Sequence, residues 1–244
     1  MSRDMSAMKP LQLNESADLR ILPGRAITPL VIMMLLLTAA SVMGQYYKSF
    51  VGRDRYLVGV FDLNGEWNIP TIYAAFCLLI SSLLSGSIGV LSRNVADMFY
   101  RHWFALAGLF LGMAVDELLQ MHEKLNGPLR LMFNAKGVFY YAWVIPGILL
   151  VIGLGLYFRS FLVSLSRRTR GLMTTAGILY VGGVLGVEMI GAAYIDNVGV
   201  KTFTYAMITT CEEVLEMVGI LVFLYAALAY LGETAGEVRI NFLA

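Results

Sequence analysis

The sequence predicts an all-α protein embedded in a membrane, and three observations carry that prediction. Of its 244 residues 58% are hydrophobic and only 14% are charged, where soluble domains carry about 25%. The mean hydropathy is +0.71. Six long apolar stretches run through the chain without the alternation that a barrel strand shows over about ten residues. The formal net charge of +1, from 18 Lys and Arg against 17 Asp and Glu, leaves no broad basic face, so a nucleic-acid partner is not expected. Cys77 and Cys211 lie far apart in apolar runs, form no CxxC motif, and read as small core hydrophobes.

About 20 apolar residues are needed to cross about 30 Å of hydrocarbon at 1.5 Å per residue. Residues 1–26 form a polar tail: Asp4, Glu15 and Asp18 and the lack of an apolar core exclude a signal peptide. Leu11, Leu13, Leu19 and Leu22 beside Arg20 and Arg25 leave open a short interfacial helix in this tail. The spans are predicted at 27–46, 69–91, 103–121, 139–158, 172–195 and 203–231, with Pro29, Pro70 and Pro146 marking helix starts, where a missing N–H costs little. They make up a transmembrane domain over 27–231, followed by a tail at 232–244. The aromatic clusters at 46–47, 100–103 and 139–143 read as interfacial belts, and equally as places where a partner docks. With both termini cytoplasmic, 11 of the 18 Lys and Arg fall on the inner side, the densest group being Arg159, Arg167, Arg168 and Arg170.

Carboxylates interrupt three of these spans. Asp116 and Glu117 lie in the third, Glu188 in the fifth, and Glu212, Glu213 and Glu216 in the sixth, with His122 and Glu123 at the outer end of the third. A charged group at the centre of a bilayer helix costs at least about 2.5 kcal/mol. No span contains an interior Lys or Arg to pair with these acids, and Lys124 is the nearest cation in sequence. Neutralisation must therefore come from protons, a metal ion or a cationic substrate. Helical spacing places Asp116, Gln120 and Glu123 on one face, and pairs Glu212 with Glu216 and Glu213 with Glu216. Asp116 lies about 20 Å from the inner end of its span, so one cavity between mid-bilayer and the outer surface is expected to hold the whole group. Plainer readings exist: His122 and Glu123 solvated at the edge with Lys124, Glu188 bonded to a helix backbone or a serine, the rest a cluster of protonated acids joining helices.

Two segments match. Val115-Asp116-Glu117-Leu118-Leu119-Gln120-Met121 aligns with Cys211-Glu212-Glu213-Val214-Leu215-Glu216-Met217, each in the third span of a triplet. Two triplets of odd span number run oppositely through the membrane, which suggests a 3+3 inverted repeat. The second and fifth spans show no comparable match.

Oxygen-rich shells from facing helices suit Mg²⁺, Mn²⁺ or Ca²⁺, and His122 would admit Zn²⁺ or iron. The candidate ligands are Asp116, Glu117, His122, Glu188, Glu212, Glu213 and Glu216, supported by Gln120 and Glu123. Haem is not expected, because the only histidines, His102 and His122, are about 30 Å apart on one predicted helix. Nor is retinal, as no lysine lies within a span. The first functional expectation is a small cation-coupled transporter, supported by the missing counter-charges, the inverted repeat, and Gly171, Gly177, Gly182, Gly183, Gly186, Gly191 and Gly199, which allow close helix packing. The second is a metal-dependent enzyme acting on a lipid or isoprenoid, with Glu as base to a metal-bound water. The third is a non-catalytic subunit of a membrane complex, and oligomeric assembly stays open.

The acid pairs resemble, in spacing alone, the metal boxes of membrane prenyltransferases, which hold a diphosphate and need nearby Lys or Arg that this chain lacks beside its acids. More closely, Asp116-Glu117-Leu118-Leu119-Gln120-Met121-His122-Glu123 with Glu212-Glu213-Val214-Leu215-Glu216-Met217-Val218-Gly219 resembles a group of uncharacterised bacterial multi-pass membrane proteins carrying DExxxxHE and EExxEMxG helices. The resemblance covers those two helices and implies a bacterial inner-membrane protein, without an activity.

Overall fold

Chain segments that cannot hydrogen-bond to water inside a bilayer close their backbone bonds internally, and here they do so as helices. The computed structural model describes residues 22–52 and 55–234; the tail readings at Leu11, Leu13, Leu19, Arg20 and Arg239 lie outside the described residues. Among these residues there are nine α-helices and no strand: α1 Pro23–Phe50, α2 Arg55–Phe61, α3 Ile69–Asn94, α4 Tyr100–Leu119, α5 Met121–Phe133, α6 Val144–Ser164, α7 Arg167–Val181, α8 Glu188–Val198 and α9 Phe203–Thr234. Six helical units are long and apolar enough to span a membrane; α7 and α8 form the fifth together, joined by the π-helical segment Gly182–Val187.

Local chemistry sets most boundaries. The Asn68 side chain accepts from Thr71 N at 3.1 Å and caps α3, with Pro70 in its first turn. Ser166 caps α7 in the same manner. Gly199, at φ +75°, ends α8 in the left-handed conformation that glycine adopts without penalty.

Three boundaries differ from expectation. α1 begins at Pro23 rather than near Pro29, which lies inside the helix and removes one internal bond. The fourth span starts at Val144, because residues 137–139 form a 3₁₀ turn whose Gly137 N donates to Asp196 Oδ2 at 2.7 Å. The third span ends at Leu119: Gln120 adopts φ 50°, ψ 48°, and the chain restarts as α5. Glu123 therefore does not continue the α4 face that carries Asp116.

Helix α9 is the axis of the bundle, packing along α1, α3 and the α7–α8 unit. Half of its apolar window is buried, against 17% for α4 and 17% for α6. α3 pairs closely with α4, where Ser82 Oγ donates to Ala107 O at 2.8 Å. α7 lies so close to α9 that a Cβ on Gly219 would stand 2.8 Å from Tyr180 N, and one on Gly183 would stand 2.8 Å from Glu212 O. Of the seven glycines expected to tighten packing, Gly183 and Gly191 do so; a Cβ at Gly171, Gly177, Gly182, Gly186 or Gly199 would meet nothing within 4 Å. Cys77 is a core residue, 2% exposed. Cys211 is exposed instead, because its position on α9 turns away from the bundle. Since α4 packs along α3 and α6 against the α7–α8 unit, without packing along each other, a space remains between them, and the acids face it.

Candidate functional site

That space is a cavity of about 1030 Å³ enclosed by α4, α6, the α7–α8 unit and α9, with residues 63–66 at one end. Asp116, Glu117 and Gln120 enter it from the last turn of α4 and its break; His122 and Glu123 enter from the start of α5. Glu188 enters from the first residue of α8, and Glu212, Glu213 and Glu216 from α9. All nine residues singled out in the sequence thus line one volume, although no unbroken helix face joins Asp116 to Glu123.

The break at Gln120 creates the best-ordered part of the site. Asp116 accepts from His122 N at 3.0 Å through Oδ1 and pairs with His122 Nδ1 through Oδ2. The His122 ring packs on Trp143, with centroids 4.7 Å apart. Trp143 Nε1 donates to Glu188 Oε1 at 2.8 Å, and Trp143 N donates to Asn126 Oδ1 at 3.2 Å. One chain of contacts therefore ties α4, α5, α6 and α8 together. Glu188, 8% exposed, owes its direction to the π segment, whose added residue re-aims the helix at the cavity, a common use of such bulges.

Burial works against a charged His122, but its bond to Asp116 and the Asp116 charge, aided by Glu188 and Glu123, outweigh it and raise the imidazole above its ordinary value. A raised folded-state value means the pair stabilises fully below about pH 6.5 and loses that contribution as pH climbs through the higher folded value. The thermal stability of the native protein relative to Asp116→Asn should accordingly shrink as pH rises from about 6.5; a gap that widens over that range would refute the pairing.

Trp143→Phe removes the donor from a buried carboxylate. It should cost about 1.5–3 kcal/mol of stability, read as a lower unfolding temperature that a further Glu188→Gln substitution partly restores.

The other acids lack such partners. Among the described residues no protein group hydrogen-bonds to the side chains of Glu117, Glu212, Glu213 or Glu216, in contrast to Asp116 and Glu188. Lys124, the nearest cation in sequence, donates instead to Leu119 O at 2.7 Å and closes the end of α4. Among the described residues no three His, Cys, Asp or Glu side chains converge as a ready metal-binding group.

The sequence reading missed several lining residues. Glu66, in the loop before α3, lies 2.9 Å from Gln120 when that amide is oriented to donate. Lys201 lines the rim, 5.7 Å from the Tyr205 ring centroid. Tyr205 shares a 2.7 Å hydroxyl bond with Tyr141. Glu66 and Lys201 lie in loops, where a charge is ordinary and gives no signal. Tyr141 and Tyr205 looked like interfacial or apolar residues.

A family profile described as a domain of unknown function, DUF8692, matches residues 19–231. The chain belongs to the DUF8692 family. No match was found to a curated protein or to a solved structure. The DUF8692 match covers the first five spans and the sixth as far as residue 231, so the cavity and each of its acids fall inside the family domain.

Proposed function

We propose that this protein binds protons and cations in competition at its membrane cavity and acts as a small cation-coupled transporter. The observation that carries the reading is that Glu117, Glu212, Glu213 and Glu216 share one cavity in which, among the described residues, no protein donor hydrogen-bonds to them, while its cationic groups are engaged elsewhere, His122 with Asp116 and Lys201 over the Tyr205 ring. A desolvated carboxylate takes a proton when nothing positive is near and releases it when a cation arrives. Such exchange is what coupling needs: the site is neutral in both loaded states and costly when empty. The ladder of acids also suits passage. Glu66, His122 and Glu123 lie near one end, and Glu216 is 13 residues into α9, about 20 Å from its start.

In this reading the membrane is a bacterial inner membrane, both termini are cytoplasmic, and the acids lie between mid-bilayer and the outer face. The excess of Lys and Arg on the inner segments supports that orientation. The 3+3 repeat is part of the proposal, although its two acidic segments have different settings, one ending α4 and the other within α9.

A second reading, a metal-dependent enzyme acting on a lipid, is favoured by one observation: Asp116 fixes His122 through Nδ1, the outer-sphere arrangement that orients a ligating histidine. Because no three His, Cys, Asp or Glu side chains converge as they stand among the described residues, Mg²⁺, Mn²⁺, Zn²⁺ or iron would have to draw Glu117 and Glu188 in towards His122, and the ion would supply Lewis acidity.

Purified protein in liposomes should release protons inward or outward on addition of a permeant cation, and should carry no stoichiometric metal. Silence towards every monovalent, divalent and organic cation tried would refute transport. Tightly held metal that is lost on Asp116→Asn would favour the enzyme.

A further inference from the structure

We propose that the cavity takes an amphiphilic organic cation, a lipophilic amine or quaternary ammonium, with its head at Glu213 and Glu216 and its hydrocarbon chain in a trough between α4 and α6. This rests on the cation reading above and adds the class of cargo.

The charge along the cavity is one-sided. Its acids, His122 and Lys201 occupy one end, whereas the limb beyond Glu216 is walled by Leu106 and Met113 of α4, Leu150 and Leu154 of α6, and Ile220 and Phe223 of α9. Among the described residues no charged side chain lines that limb. From Leu106 to Glu117 it runs about 16 Å along α4.

A proton or metal ion has no use for such a trough, and about 1030 Å³ is the size of an organic-ligand pocket rather than of an ion site. A phosphate-bearing lipid would bring an anion to the acids with Lys201 as the only lysine or arginine in the lining among the described residues. A cationic head meets complementary charge, and an apolar chain meets apolar walls.

The trough also has a side entrance. α4 and α6 meet through side chains where His102 stacks on Tyr157 and Phe161 at 4.8 and 5.4 Å, and at the other end the start of α6 is tied to α5, where His122 packs on Trp143 at 4.7 Å. Between these clasps Leu150 is 58% exposed and Gly112 carries open space where a Cβ would stand. A chain already dissolved in the bilayer can enter there without leaving hydrocarbon.

The test is equilibrium binding to the protein in nanodiscs, with empty nanodiscs subtracted, using tetramethylammonium and its butyl, octyl and dodecyl homologues beside alkyl sulfates of the same lengths. Affinity for the cations should rise about fourfold per methylene until the trough is full, the sulfates should show no saturable binding, and Glu213→Gln with Glu216→Gln should abolish the whole series. Val151→Trp, at a lining residue of α6 between Leu150 and Leu154, or independently Gly112→Leu, should cancel the chain-length gain while leaving tetramethylammonium binding intact. Cation binding indifferent to chain length would overturn the amphiphile and leave the cation reading standing. An equal gain for the sulfates would show a lipid-filled crevice and overturn it as well. Failure of every cation to bind would sink both.

Discussion

Glutamine at both Glu213 and Glu216 is expected to abolish saturable cation binding and cation-driven proton movement, with at least a hundredfold loss of affinity. The substitutions keep shape and remove charge. Each carboxylate at about 4 Å from a cation contributes roughly 4 kcal/mol under an effective dielectric constant of about 20, so losing two exceeds a hundredfold comfortably. The fold should not suffer. These side chains accept no protein hydrogen bond among the described residues, and desolvating an unpaired carboxylate costs more than desolvating an amide. The double variant should therefore unfold at the same temperature as the native protein or higher, while a single Trp143→Phe lowers it. Unchanged cation titration in a folded Glu213→Gln, Glu216→Gln protein would remove the basis of the proposed function.

Gly219→Leu is expected to produce the largest loss of stability, about 3 kcal/mol or more. A Cβ at this position would lie 2.8 Å from Tyr180 N and 2.9 Å from Ala176 O. Both atoms are backbone, so no rotamer change on α7 can make room, and the helices must separate. The damage would reach the site as well, because Gly183 on the facing segment lies so near Glu212 O and the Glu216 side chain that a Cβ there would stand 2.8 and 3.0 Å from them. Cation binding should weaken in the fraction that folds. Gly186→Ala and Gly155→Ala, where a Cβ meets nothing within 4 Å, should change stability by no more than about 0.5 kcal/mol. Equal effects at Gly219 and Gly155 on thermal unfolding in detergent would contradict the packing described here. The same geometry gives a physical reason for the glycine that closes the EExxEMxG string: three residues after Glu216, it is where α7 comes closest to the acidic helix.

The six spans were legible because the bilayer imposes a length and a polarity that hydropathy reports directly. So was the site's membership. Carboxylates in apolar stretches are costly enough to seek each other, and Asp116, Glu117, Glu188, Glu212, Glu213 and Glu216 do share one cavity. Their arrangement was not legible. Gln120 takes a left-handed conformation without the Gly or Asn that usually announces one, so nothing in the spacing foretold that α4 would stop and swing His122 back to Asp116. The resemblance between the segments at Asp116 and Glu212 concealed the same fact, since similar strings end one helix and continue the other. Cys211 read as core because its neighbours are apolar, yet apolar neighbours in a membrane also face lipid.

By itself the sequence determined a six-span helical membrane protein with carboxylates inside three of its spans, because burial of charge and crossing of a bilayer are constraints on composition along the chain. Only the tertiary structure decided that α4 and α6 stand apart around α9, that Glu66 and Lys201 join the rim, and that an apolar trough continues beyond the carboxylates. Those features depend on which helices pack closely. That choice rests on backbone approaches at a few positions such as Gly183 and Gly219, whose partners are distant in sequence and leave no periodic trace in it.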